Sequence, residues 1–233
     1  MVAPQVSLKP SRYSLTDSVF DVLAARLHSG HIPPESTLNI DALARELEVS
    51  HTPIREALAR LGAMGLVQRS AHTGYRSAPL ISMREMGEIF DARLAVEPAL
   101  AKHAASNVTD VFLDDLRGSV ERLRTRAEGL GDSSPQLSLD ESRYFHDRIA
   151  RQSSNLFLSN ALHMISGHSQ RIQLVGIARR GDHSDVCGEH TAILRAFEKR
   201  DPDAAESAMH DHVYAIARRT REEFEATDSS CSK

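Results

Sequence analysis

The first residues with types and spacing fit for chemistry lie in one stretch, Val49-Ser50-His51-Thr52-Pro53-Ile54-Arg55-Glu56-Ala57-Leu58. Ile54, Leu58 and Leu61 stand at i, i+4 and i+7, which makes one apolar stripe on a helix. His51, Thr52 and Arg55 fall on the other side, near the helix start. A helix buried along one stripe and polar at its N-terminal tip suits the DNA major groove. Arg55 can read a guanine edge with two parallel donors or clamp a phosphate. Ser50 and Thr52 can bond phosphates, helped by the helix N-terminus. His51 offers a single bond and cannot form the fork that an arginine makes. Glu56 is a poor partner for Arg55, because adjacent helix residues do not face each other. Arg60, further down the helix, reads as a surface charge.

The elements that must position these residues are legible around them. Leu15, Val19, Val22, Leu23 and Leu27 mark a first helix over 14–29, stopped by Gly30 and kept from restarting by Pro33-Pro34. Ile40, Leu43, Ala44 and Leu47 predict a short second helix with Asn39 as N-cap. The third helix runs from Ser50 to Met64, with Ser50 or Thr52 as cap, Pro53 in the first turn and Gly65 at the end. Leu66–Arg69 and Gly74–Ser77 read as two short strands around a polar turn. Three helices and a hairpin make a winged helix-turn-helix. Its wing carries Arg69, His72, Thr73 and Gly74, where glycine permits close backbone approach to DNA.

Charge distribution agrees with that reading. The chain has 233 residues and a net charge of −4, which argues against a non-specific nucleic-acid binder. Residues 1–80 hold eight Lys/Arg against seven Asp/Glu, whereas 81–233 hold twenty against twenty-five. Within 50–76 four arginines face one acid, Glu56. An acidic remainder keeps other faces off DNA. No apolar run approaches the length of about 18 residues that a membrane span needs, and residues 1–10 lack a signal-peptide core. Cys187 and Cys231 make no disulfide framework, so a reducing cytoplasm is expected. The polar tail, Thr227 to Lys233, is expected to fray.

Beyond Ser82 strand signals disappear. Helical patterns follow at 82–106, 109–128, 138–152, 155–180, 184–200 and 202–226, with one plausible flexible loop at 129–135. The fold class is therefore mainly α: a winged helix-turn-helix over 1–80, then an antiparallel bundle of about six helices over 81–228.

The 49–58 stretch resembles the recognition helix of the GntR family of bacterial transcription regulators, whose pattern is roughly VSRTPVREAL. His51 stands where that family usually has arginine, so the operator sequence is expected to differ. The second half resembles the all-helical (FCD) effector domain of the FadR-type subgroup. The resemblance covers 14–226, with landmarks at Arg93-xxx-Glu97, Phe145-His146, Glu189-His190-xx-Ile193 and Ala205-xx-Ala208-Met209-xx-His212.

That resemblance implies contacts to the operator from positions 51, 52, 55 and the wing tip. It also implies a metal held by three histidines, His146, His190 and His212, on three different helices. Neutral imidazoles suit zinc or nickel. The subgroup usually adds an aspartate one turn before the first histidine; here that residue is Ser142, while Asp140 and Glu141 sit at the wrong helical angle. Three histidines alone leave positions open to water or ligand. His163, His168, His183 and His210 read as peripheral. Arg93 is the candidate to pair with an effector carboxylate through a forked contact; its alternative is an i, i+4 ion pair with Glu97. The effector pocket is thus Arg93, Ser142, His146, His190 and His212.

One such DNA-binding domain binds weakly, so a homodimer on a near-palindromic double-stranded operator is expected. The function expected is a ligand-responsive regulator, a repressor by family habit, that answers a small organic acid. A metalloregulator is the alternative. A three-histidine hydrolase is the least favoured reading, since no HExxH motif or nucleophile elbow is present and Glu189 points about 100° from its neighbour His190.

Overall fold

A computed structural model describes residues 14–70, 74–129, 135–174 and 183–231. The expected wing residues His72 and Thr73 lie outside them, as does the side chain of His183. The chain divides into two compact units after Pro79.

The first unit holds α1 (Leu15–His28), α2 (Ile40–Glu46) and α3 (His51–Ala63), with strands β1 (Thr37–Leu38), β2 (Val67–Ser70) and β3 (Gly74–Ser77). Ser14 opens α1 with a capping box closed by Asp17, and Asn39 caps α2 through the Ala42 amide. Gly65 takes φ +70°, a left-handed turn that ends α3 where an L side chain would be strained. The strands pair antiparallel in the order β1-β3-β2. Thr37 lies opposite Arg76, and Val67 opposite Ser77. β1 gave no sequence signal: two residues are too few to show an alternating pattern. Ser77 ties it in, accepting from the Ser36 amide and donating to the Pro33 carbonyl. The stripe Ile54, Leu58 and Leu61 is fully buried, with Ala57 beside it. Truncating a leucine sealed this way costs roughly 2–5 kcal/mol.

The second unit is a helical bundle: α4 (Met83–Ala105), α5 (Asp110–Ala127), α6 (Pro135–Gln152), α7 (Leu156–Leu174), α8 (His183–Glu198) and α9 (Pro202–Cys231). Ser82 and Glu85 form the capping box of α4, and Thr109 caps α5. α6 starts earlier than its periodicity predicts, because Pro135 opens it where a missing N–H costs nothing. α9 extends past 226, where periodicity ends it, and reaches Cys231; no glycine or proline after Pro202 interrupts it. α4 packs against α9, α7 and α6, while α8 packs against α5 and α9. The core is apolar, with Phe112 edge-on to Phe197 at 5.1 Å. Phe145, Leu116, Ile193, Met209 and Val213 are buried with them. Among the buried polar residues of this unit are Glu97 on α4, His146 on α6, His190 on α8 and His212 on α9. Among the described residues no helix is long and apolar enough to cross a membrane.

Candidate functional site

The tip of α3 is polar and exposed, as its pattern requires. Ser50 is the N-cap residue, extended at φ −70° and ψ 167°, and its hydroxyl makes no capping bond. His51, Thr52 and Arg55 are exposed, while Pro53 and Ile54 turn inward. Glu56 accepts from Thr16 Oγ1 at 2.8 Å, so it is engaged away from Arg55. Among the described residues Arg55 and Arg69 have no ion-pair or hydrogen-bond partner. Two other basic residues are engaged. Arg60, expected as a surface charge, donates to Asp17 at 2.7 Å and lies over the Phe20 ring. His51 Nε2 stands 3.2 Å from Asp41 Oδ1, a partner on α2 that sequence spacing did not reveal. Gly74 takes φ +84° with open space where a side chain would project, leaving the wing backbone bare.

In the second unit the structure brings His146, His190 and His212 together. One nitrogen from each lies within 4.8 Å of the others. His146 Nε2 and His212 Nε2 are 3.1 Å apart. The other nitrogen of each ring faces a carboxylate. His212 Nδ1 is 2.8 Å from Glu189 Oε2. His146 Nδ1 is 2.5 Å from Glu97 Oε2, a close ion-pair contact rather than an aligned hydrogen bond. Each carboxylate is held in turn by an arginine: Arg93 Nε donates to Glu97 Oε1 at 2.5 Å, and Arg219 donates to both Glu189 oxygens at 2.6 and 2.9 Å. His190 stacks on Phe145 at 4.1 Å, and neither of its ring nitrogens has a hydrogen-bond partner.

Burial governs the electrostatics. It pushes the His190 and His212 imidazoles well below their usual range, and the neighbouring histidines push the same way. Burial would raise the Glu97 carboxyl, but the Arg93 guanidinium and the His146 ring against it hold it well below the usual carboxylate range. Burial thus favours the neutral ring at His190 and His212, the form that ligates a metal, beside an ionised Glu97.

Sequence reading missed the carboxylates. Glu97 entered only as the partner of Arg93, and Glu189 only as a residue pointing away from His190; it points at His212 instead. Arg219 gave no signal beyond its charge. Ser142 lies on α6 half-buried, one turn before His146. Glu141 is drawn off by Arg122 at 2.8 Å, and Asp140 by Arg143 at 2.7 Å. His163, His168 and His210 are exposed.

The FCD domain model matches residues 88–215, and the model for bacterial regulatory proteins of the gntR family matches 15–76. The chain is a gntR-family regulator with an FCD domain. It is similar to the "Probable D-xylose utilization operon transcriptional repressor" of Paenarthrobacter nicotinovorans, 28% identical over 213 residues that cover 90% of each chain. It is also similar to the "HTH-type transcriptional repressor RspR" of Escherichia coli K12, 24% identical and covering 94% of this chain and 93% of that one. Among solved structures, E. coli McbR/YncC shares the fold with a TM-score of 0.74 at 21% identity, covering 91% of this chain and 99% of that one. This gntR-family chain is thus a transcription regulator, and its family acts on DNA operators.

Proposed function

We propose that this regulator is a repressor whose helical unit binds a small carboxylate effector through a divalent metal held by His146, His190 and His212. The observation that carries the reading is the approach of His146 Nε2 to His212 Nε2 at 3.1 Å. Glu189, clamped by Arg219, accepts a hydrogen bond from His212 Nδ1, which turns the His212 Nε2 lone pair toward His146. His190 adds two buried nitrogens with no hydrogen-bond partner. A shared cation satisfies all three. A bound zinc or nickel ion would supply a Lewis-acidic seat for effector oxygens at its open positions.

The chain's own residues do the rest. Glu97 and Glu189 fix the ring orientations of His146 and His212. Ser142 borders the site one turn from His146. Arg93 stands behind Glu97 as a cation that an effector carboxylate can take over. In the first unit Ser50, His51, Thr52 and Arg55, with Arg69, His72, Thr73 and Gly74, contact a near-palindromic operator as a homodimer. The effector lowers operator affinity to the extent that it binds one arrangement of the dimer better than the other.

The deciding measurement is the metal content of untagged protein, purified without chelator, by plasma mass spectrometry. About one zinc or nickel ion per chain is expected. Protein that carries none, and takes up none when zinc is added, overturns the metal part and leaves Arg93 to read the ligand alone.

A further inference from the structure

The exposed tip of α3 has a neighbour from another helix. Asp41 lies in the first turn of α2, and its Oδ1 stands 3.2 Å from Nε2 of His51, the first residue of α3. Both side chains face solvent, Asp41 at 74% and His51 at 55% exposure. Among the described residues the carboxylate has no partner but this ring. Two other acids close by in sequence are engaged within the unit: Glu46 pairs with Arg26 at 2.7 Å, and Glu56 accepts from Thr16. The helix dipole favours an acid in the first turn of α2. That accounts for an acid at position 41, but not for a carboxylate set against the residue that opens α3.

A solvated carboxylate on a face that meets DNA is repelled by every phosphate near it, so it opposes binding to DNA of any sequence. Only a base edge that offers it a hydrogen offsets that repulsion. An ionised carboxylate accepts and never donates. In the major groove cytosine N4 and adenine N6 carry amine hydrogens, whereas guanine O6 and thymine O4 are acceptors that repel it. An imidazole can donate or accept, so His51 alone discriminates poorly. We infer that Asp41 is a specificity-determining residue of the DNA-reading tip: its carboxylate, braced by His51, accepts from a cytosine or adenine amine in each operator half-site. Reversing that base pair puts an acceptor where the amine stood, and the carboxylate then meets repulsion instead of a hydrogen bond. The inference rests on the reading of α3 as the DNA-contacting helix and adds a residue of α2 to it.

The test uses the full-length protein and a library of randomised duplexes. Bound duplexes are sequenced for wild type, Asp41→Ala and Asp41→Asn. Asp41→Ala is expected to select the wild-type motif except at one position per half-site, where its preference is lost; the base that wild type selects there tells cytosine from adenine. Reversing that base pair in a selected duplex is expected to cost wild type about tenfold in affinity, the worth of one mismatched pair, and Asp41→Ala less than about twofold. Asp41→Ala is also expected to bind random duplex at least as tightly as wild type, whereas damage to the fold would weaken both kinds of binding together. Asp41→Asn, equal in size but able to donate as well as accept, is expected to relax the same position, and it decides the matter if Asp41→Ala does not fold. An Asp41→Ala motif identical to that of wild type, or one weakened equally at every position, overturns the inference and leaves the reading of α3 standing. A wild-type protein that selects no motif overturns both.

Discussion

At the tip of α3, Ser50, His51, Thr52 and Arg55 stand exposed, and Arg55 has no partner among the described residues. Between α4, α6, α8 and α9 a similar number of polar groups is sealed into an apolar core, and most of their atoms face a protein partner. The first arrangement costs little stability, because water satisfies an exposed guanidinium until DNA replaces it. The second carries a large desolvation cost that only a complete network offsets. Side chains on α3 should thus be replaceable without harm to the fold, whereas the histidine centre should couple function to stability.

The largest effect should come from breaking the buried network. Glu97→Ala leaves Arg93 and His146 without their shared carboxylate, with Glu97 1% and Arg93 14% exposed in the intact pair. Removing one partner of a buried ion pair costs roughly 3–5 kcal/mol. Urea unfolding should show that loss as a lowered midpoint, and a midpoint within error of wild type would mean the network adds nothing to the fold.

Arg55→Ala sharpens the contrast from the other side. Its unfolding midpoint should stay within about 0.5 kcal/mol of wild type. Specific operator binding should fall on the order of 10- to 100-fold per contact, the worth of about 1–3 kcal/mol for a forked base contact. Titration of labelled operator at fixed salt reads this directly. Retained affinity would remove α3 as the reading helix.

How much of this was legible in the sequence differs between the two regions for a physical reason. The recognition helix is written locally: Ile54, Leu58 and Leu61 repeat with the helix, and Pro53 and Gly65 mark its ends. The histidine centre is written across 116 positions, from Glu97 to His212. Periodicity predicts that α6, α8 and α9 exist, but not which faces meet. The three histidines came through family resemblance, and their carboxylate partners did not. Glu97 looked like half of an i, i+4 pair, and it is one, yet its second oxygen belongs to His146. The pairing of His51 with Asp41 was hidden for the same reason, since it joins two helices.

A smaller effect separates orientation from ligation. Glu189→Gln keeps a hydrogen-bonding group of the same shape against His212 Nδ1 but removes the charge that Arg219 clamps. Loss of such a partner typically lowers metal affinity 10- to 100-fold. Competition with a zinc-responsive dye should show that loss, with helical content unchanged. Unaltered zinc affinity would reduce Glu189 to a surface ion pair of Arg219.

The smallest effect is expected at Arg60, and its smallness is informative. Arg60 shares α3 with Arg55 and carries the same charge, so a recognition helix that worked by charge alone would use both. Arg60 instead points back to Asp17 and the Phe20 ring, about half exposed at 48%. Arg60→Ala should leave specific operator affinity within about twofold of wild type, since a solvated charge away from the groove contributes little. A loss as large as that of Arg55→Ala would show that DNA draws Arg60 off Asp17. In that case the α3 tip, like the histidine centre, would work by exchanging partners.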